Sequence, residues 1–197
     1  MTFLEIKKNL SDKVVGIAGA GGLGSNCAVA LARVGVGNLI VADFDVVSES
    51  NLNRQYFFYK QIGRKKVDAL RENILAINPA VEVETHDIKL DADSVVSLFS
   101  ECDAIVEAFD LAEMKKMVIE TVMSEMPEKP IVTGLGMAGW GDSNSIRFRK
   151  EGNLYICGDE KSEVSEENPP LAPRVGIVAN MQANVVLEIL LGKGDSY

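Results

Sequence analysis

The chain has 197 residues, 47% of them hydrophobic and 25% charged, with 20 Lys and Arg against 29 Asp and Glu for a formal net charge of −9. This size and composition fit one domain, residues 1–197, around a single core, and the acidity argues against nucleic acid or an anionic membrane as the main partner, since both repel it at long range. Cys27, Cys102 and Cys157 form no CxxC pair and are odd in number, which excludes a disulfide framework and a four-cysteine zinc site.

The first residues lack the apolar core of a secretory signal, and no apolar run approaches the roughly 20 residues that cross a bilayer. The expected location is the cytoplasm, with no membrane partner. The single histidine, His86, ends an alternating strand-like run and reads as structural, so the chemistry should work without a histidine.

In chain order, an apolar run at 13–18 predicts a strand that ends in Gly19-Ala20-Gly21-Gly22-Leu23-Gly24. A helical pattern follows over 25–34, then a second strand at 38–42 closed by Asp43, which together make a βαβ unit. Residues 48–59 are polar and aromatic and read as irregular. An amphipathic helix is expected over 63–78, stopped by Pro79. Further strands are expected at 81–85, 102–108 and 130–133, alternating with helices at 92–100 and 112–124. Residues 145–150 and 153–157 read as an antiparallel pair turned at Glu151-Gly152. Residues 158–173 read as an acidic loop, and a last helix is expected over 175–191. The alternation predicts an α/β fold: a doubly wound, Rossmann-like, mainly parallel sheet with a few appended antiparallel strands.

Gly19, Gly21 and Gly24 satisfy GxGxxG between a strand and a helix. The first glycine turns the chain, the second lets backbone approach a phosphate, and the third lets the helix pack close to the strand with its N–H groups aimed at the anion. Asp43, nineteen residues past Gly24, stands where a carboxylate can accept from a ribose hydroxyl. These features point to a nucleotide but leave ATP and a dinucleotide both open. Residues 54–71 carry six cations, Arg54, Lys60, Arg64, Lys65, Lys66 and Arg71, against the one acid Asp68. Such an island suits a triphosphate better than a pyrophosphate. Lys65 and Arg71 fit the solvated face of the helix, and Arg54 fits function.

Residues 14–25, Asp43-Phe44-Asp45, Ser50-Asn51-Leu52-Asn53-Arg54-Gln55, Gly63 with Lys66, and Ala172-Pro173-Arg174 together resemble the ThiF/MoeB/HesA adenylyltransferases, bacterial relatives of ubiquitin-activating enzymes. The resemblance implies ATP-dependent adenylation of the C-terminal Gly-Gly carboxylate of a small β-grasp sulfur carrier, for ThiF-like members that of thiamine biosynthesis. It also implies a homodimer. By position it gives Gly19, Gly21, Gly22, Gly24, Asp43 and Asp45 to the nucleotide, with Asp43 on the ribose. Lys66 would contact phosphate. Arg54 would reach the phosphates, in this family typically those bound by the partner subunit. Asn51 and Gln55 would support the phosphate end, and Asp110 would bind Mg²⁺. For Asp110 the competing reading is an N-cap of the following helix.

The chain departs from the family pattern in three ways. It lacks the CxxC pairs that hold a structural zinc, so no zinc is expected. Residues 1–12 contain no arginine, leaving Lys7 or Lys8 as a partial substitute, and the part beyond residue 150 is short. Cys157, in a predicted strand, is expected to be buried and structural. Competing readings are an NAD(P)-dependent oxidoreductase, a tRNA-modifying member of the same superfamily, which the net charge opposes, and a non-catalytic nucleotide-binding module.

Overall fold

The computed structural model describes residues 1–192. Seven strands form one sheet: β1 (Val14–Ala18), β2 (Asn38–Ala42), β3 (Glu82–His86), β4 (Ala104–Glu107), β5 (Ile131–Gly134), β6 (Arg147–Glu151) and β7 (Leu154–Gly158). Their order is β3-β2-β1-β4-β5-β7-β6, and every neighbouring pair is parallel except β6 with β7. The doubly wound sheet is as expected. The appended part is narrower than expected, because β7 runs parallel to β5 and only the edge strand β6 is reversed. Gly152, at φ +59°, makes the turn between them.

Period-two alternation distributes side chains to both faces. Along β4, Ala104 and Val106 enter one core while Ile105 enters the other. The first core is covered by α2 (Gly22–Val34), α3 (Lys66–Ile77) and α6 (Ala172–Leu190), through residues such as Leu31, Leu70 and Val178. The second is covered by α4 (Ala92–Phe99) and α5 (Ala112–Glu125), through Phe99, Val118 and Val122.

An N-terminal helix, α1 (Phe3–Leu10), was not expected over residues 1–12. Thr2 and Glu5 form a reciprocal cap, with Glu5 N–H donating to Thr2 Oγ1 at 3.3 Å and Thr2 N–H to Glu5 Oε2 at 2.7 Å. Leu10 anchors the helix in the core. Lys7 lies against Gly35, just past the C-terminus of α2. The glycine turn is at the other end of that helix, about 20 Å away at 1.5 Å per residue. Neither Lys7 nor its neighbour Lys8 therefore substitutes for an arginine at its own chain's site.

The register places Ala18, Ala42 and Glu107 side by side, with Thr133 beside Glu107 and Cys157 beside Gly134. The segments leaving β1, β2, β4, β5 and β7 thus emerge at one edge. The chain order reverses between β1 and β4, the position where open α/β sheets bind ligands.

Candidate nucleotide site

Gly19 leaves β1 at φ +100°, a conformation that disfavours any side chain. A Cβ on Gly24 would lie 1.8 Å from the Gly19 carbonyl oxygen, so α2 approaches the turn as closely as backbone allows. The N-cap Gly21 offers no side chain to the first turn of α2. Its leading N–H groups, which have no intrahelical partner, are left for an anion.

Asp43 is buried at the end of β2. Its Oδ2 accepts from Ala20 N–H and its Oδ1 from Asp45 N–H, each at 2.7 Å. Burial raises its pKa, against the opposing pull of Lys66 and of those two N–H donors. Asp43 therefore holds the glycine turn itself. Lys66 opens α3 with its ammonium buried, paired to Asp45 Oδ2 at 2.7 Å, so that Asp45 holds the lysine.

The polar loop after β2 is laced to α2. Asn26 Nδ2 donates to the Gly22 and Arg54 carbonyls at 2.7 and 2.9 Å. Ser25 Oγ donates to the Gly21 carbonyl at 2.6 Å and accepts from Tyr56 N–H at 2.9 Å. The stem of Arg54 thereby lies over Gly22 of its own chain, its Cγ 3.6 Å from where a Cβ would stand. Its guanidinium donates to the Ser50 carbonyl at 3.1 Å and to Asn53 Oδ1 at 2.8 Å. Asn51 accepts from Ser48 N–H at 3.0 Å, which makes it a former of this loop. The Gln55 amide is buried beside Gly21, and its Oε1 has no partner among the described residues. A buried amide with spare bonding capacity next to the glycine turn is what a ligand-facing group requires.

The cationic island is largely neutralised. Arg64 and Lys60 pair with Glu72, Lys65 with Asp87, and Arg71 donates to the Val83 carbonyl at 3.2 Å. Of the six cations, Arg54 lies over Gly22 of the glycine turn, and Lys66 connects to that turn through Asp45 and Asp43. The charge surplus in sequence thus overstated the charge left unpaired.

Asp110 is exposed where the chain leaves β4, next to Ala108 and Phe109, which pack on Gly19. It is not a cap: Leu111 occupies the N-cap position of α5, with no side-chain bond. Among the described residues the Asp110 carboxylate has no partner. No three His, Cys, Asp or Glu side chains gather to hold a metal among those residues. A divalent ion at Asp110 would draw its remaining oxygens from phosphate and water, which suits Mg²⁺.

Two features of this edge were not foreseen. Arg174, buried at the start of α6, pairs with Asp159 at 2.5 Å and donates to the Asp142 carbonyl at 3.3 Å. Burial works against the charge on Asp159, but the N–H groups of Ser162 and Lys161 and then Arg174 bring its pKa down to about 2. Glu160 pairs with Arg149, and Ser162 Oγ accepts from Ala138 N–H at 3.1 Å. The start of the acidic loop is thereby tied to β6 and to the segment after β5. The second feature is a buried ion pair, Glu107 with Lys115. An acid inside the apolar run Ala104-Ile105-Val106-Glu107-Ala108 was the available signal. Cys157 is buried as expected, its thiol pushed up to about 12 by that burial.

A ThiF family model matches residues 3–197. The molybdopterin-synthase adenylyltransferase of Escherichia coli is 29% identical over 190 residues, 94% of this chain and 76% of that protein. A probable adenylyltransferase/sulfurtransferase, MoeZ of Mycobacterium tuberculosis, is 37% identical over 129 residues, 65% of this chain and 32% of that protein. The chain thus spans about a third of the length of that relative. Among solved structures, the E. coli tRNA N6-threonylcarbamoyladenosine dehydratase TcdA in complex with ATP superposes with a TM-score of 0.82 at 22% identity, covering 96% of this chain and 90% of that one. At that identity the likeness establishes the fold. No described helix is long and apolar enough to cross a membrane.

Proposed function

The chain belongs to the ThiF family, and from that membership and the geometry of the site we propose that it adenylates, with ATP, the C-terminal Gly-Gly carboxylate of a small β-grasp sulfur carrier. The observation that carries this reading is the convergence at one sheet edge of the open glycine turn, Asp43, Arg54, Lys66 and the free Asp110 carboxylate. The ATP phosphates lie on the N-terminal turn of α2 and the ribose against Asp43. Gln55 supplies a buried polar contact beside the turn. The carrier's terminal carboxylate, with a pKa of about 3.5, arrives ionised, so no general base is needed. One of its oxygens attacks the α-phosphorus, the bond to the bridging oxygen breaks, and pyrophosphate leaves.

The protein's share in this step is to hold two anions in line and to neutralise charge as it develops. Arg54 and Lys66 do so at the phosphates. Asp110 would hold Mg²⁺, whose charge would serve to neutralise phosphate oxygens. The protein acts as a homodimer, as the resemblance implies.

The thiamine-type carrier follows from the resemblance, whereas the E. coli relative is named for molybdopterin synthase. ATP–pyrophosphate exchange with each carrier, intact and lacking its terminal glycines, tests the activity and separates the two. Exchange that requires the glycines is the expected result. ATP binding without exchange on either carrier would overturn the reading in favour of a non-catalytic module or a different acceptor.

A further inference from the structure

Beneath Asp110 lies a group of buried polar side chains that the adenylation chemistry does not use. Glu107 ends β4 fully buried. Its Oε1 accepts from Phe109 N–H at 2.8 Å, and its Oε2 accepts from the Thr133 hydroxyl at 2.5 Å and from Lys115. Lys115, in α5, also donates to Thr133 Oγ1 at 3.3 Å and to the Gly134 carbonyl at 3.1 Å. Gln182 of α6 donates to the carbonyls of Glu107 and Val132 at 3.1 and 3.2 Å. The cluster therefore ties together β4, β5, α5 and α6. An ammonium has three protons, and Lys115 has all three engaged, so it has none to offer a phosphate.

Stability does not call for charges here, because a well-packed apolar pair in a buried position often stabilises as much. What Glu107 does that an apolar residue cannot is hold Phe109 N–H, and with it the direction in which the chain leaves β4. Lys115 and Thr133 in turn fix the orientation of the Glu107 carboxylate. Asp110 is the next residue along. We propose that Glu107 and Lys115 are positioning residues for Asp110, setting the carboxylate that holds the divalent ion. This rests on the reading of Asp110 as the ion's ligand.

The test is Mn²⁺ binding to the protein bound to a non-hydrolysable ATP analogue, followed by electron paramagnetic resonance. Analogue affinity without metal and the thermal midpoint are measured on the same samples. Lys115→Met should weaken Mn²⁺ by about tenfold, the scale seen when the support behind a metal ligand is removed. Metal-free affinity should stay within about twofold. Thr133→Val, a milder change, gives the same readout should Lys115→Met fail to fold. Asp110→Ala separates the two layers of the claim. If Asp110→Ala weakens Mn²⁺ while the folded cluster variants bind it as the parent does, the positioning role falls and the metal reading stands. If Asp110→Ala leaves Mn²⁺ binding unchanged, both fall. A matching loss of metal-free affinity in the cluster variants would mark general damage to the site and would also overturn the positioning role.

Discussion

Two glycines inside helices offer a paired test of how the site is built. At Gly24 a Cβ would stand 1.8 Å from the Gly19 carbonyl oxygen and 3.2 Å from the Ala108 Cβ, whereas at Gly176 in α6 none of the described residues comes within 4 Å of one. Both gain helix propensity on mutation to alanine, by at most about 1 kcal/mol. For Gly176→Ala that gain stands alone, and the melting temperature should rise by about 1–4 °C. For Gly24→Ala the obstacle is backbone that cannot rotate aside, so α2 must retreat from β1 by more than an ångström. Overpacking of this kind costs about 1–3 kcal/mol or more, which for a chain of this size lowers the midpoint by about 2–12 °C. The retreat also withdraws the N–H groups of the first turn of α2, so ATP·Mg²⁺ binding should weaken together with stability. Thermal melts with and without nucleotide report both effects. A Gly24→Ala protein that melts with the parent would refute the packing argument. One that melts early but binds ATP normally would show that the phosphates lie elsewhere.

Arg54→Ala should reduce pyrophosphate exchange by about 10²–10³-fold, the scale of a lost charge-stabilising donor, and leave the melting temperature unchanged. Because Arg54 lies over Gly22 of its own chain, a mixed dimer of Arg54→Ala with Asp110→Ala should recover no exchange; recovery would place Arg54 in the neighbouring subunit's site. Asp43→Ala should raise the Michaelis constant for ATP and destabilise by about 1–3 kcal/mol, since the buried Ala20 N–H and the part-buried Asp45 N–H lose their acceptor; denaturant titration and exchange kinetics check the pair of effects. With its folded pKa drawn down from 3.8 to about 2, Asp159 contributes stability that is present above pH 4 and lost as pH falls through the folded value. Asp159→Asn should flatten the acid limb of a pH–stability curve between about pH 4 and 2, and a limb of unchanged slope would assign acid loss to other groups.

What could be read in the sequence was whatever depends on neighbours along the chain. Apolar runs and their period located the strands of the sheet, and glycine spacing located the turn. Asp43 followed because β2 must end near the turn for a βαβ unit to close. Boundaries moved by up to three residues, as at α6, which starts at Ala172 because Pro173 suits its first turn. The Thr2-x-x-Glu5 capping box of α1 was also local and was passed over. What could not be read was pairing between distant residues. Glu72 and Asp87 cancel cations that looked available, and Asp159 meets Arg174 only after the loops leaving β5 and β7 come together. Charge surplus over a window therefore measures composition, and only the fold decides which charges stay free.

The two edges of the sheet bear on how copies of this chain can meet. β6 presents Arg147, Arg149, Lys150 and Glu151 along its length, and β3 presents Glu82, Glu84 and His86. Ionic side chains on exposed edge strands oppose the addition of a further strand, because pairing would bring charges face to face and strip their water. A second chain is thus discouraged from extending the sheet into a fourteen-stranded ribbon. Any contact between copies is thereby directed to the helical faces and to the loop edge where the glycine turn lies.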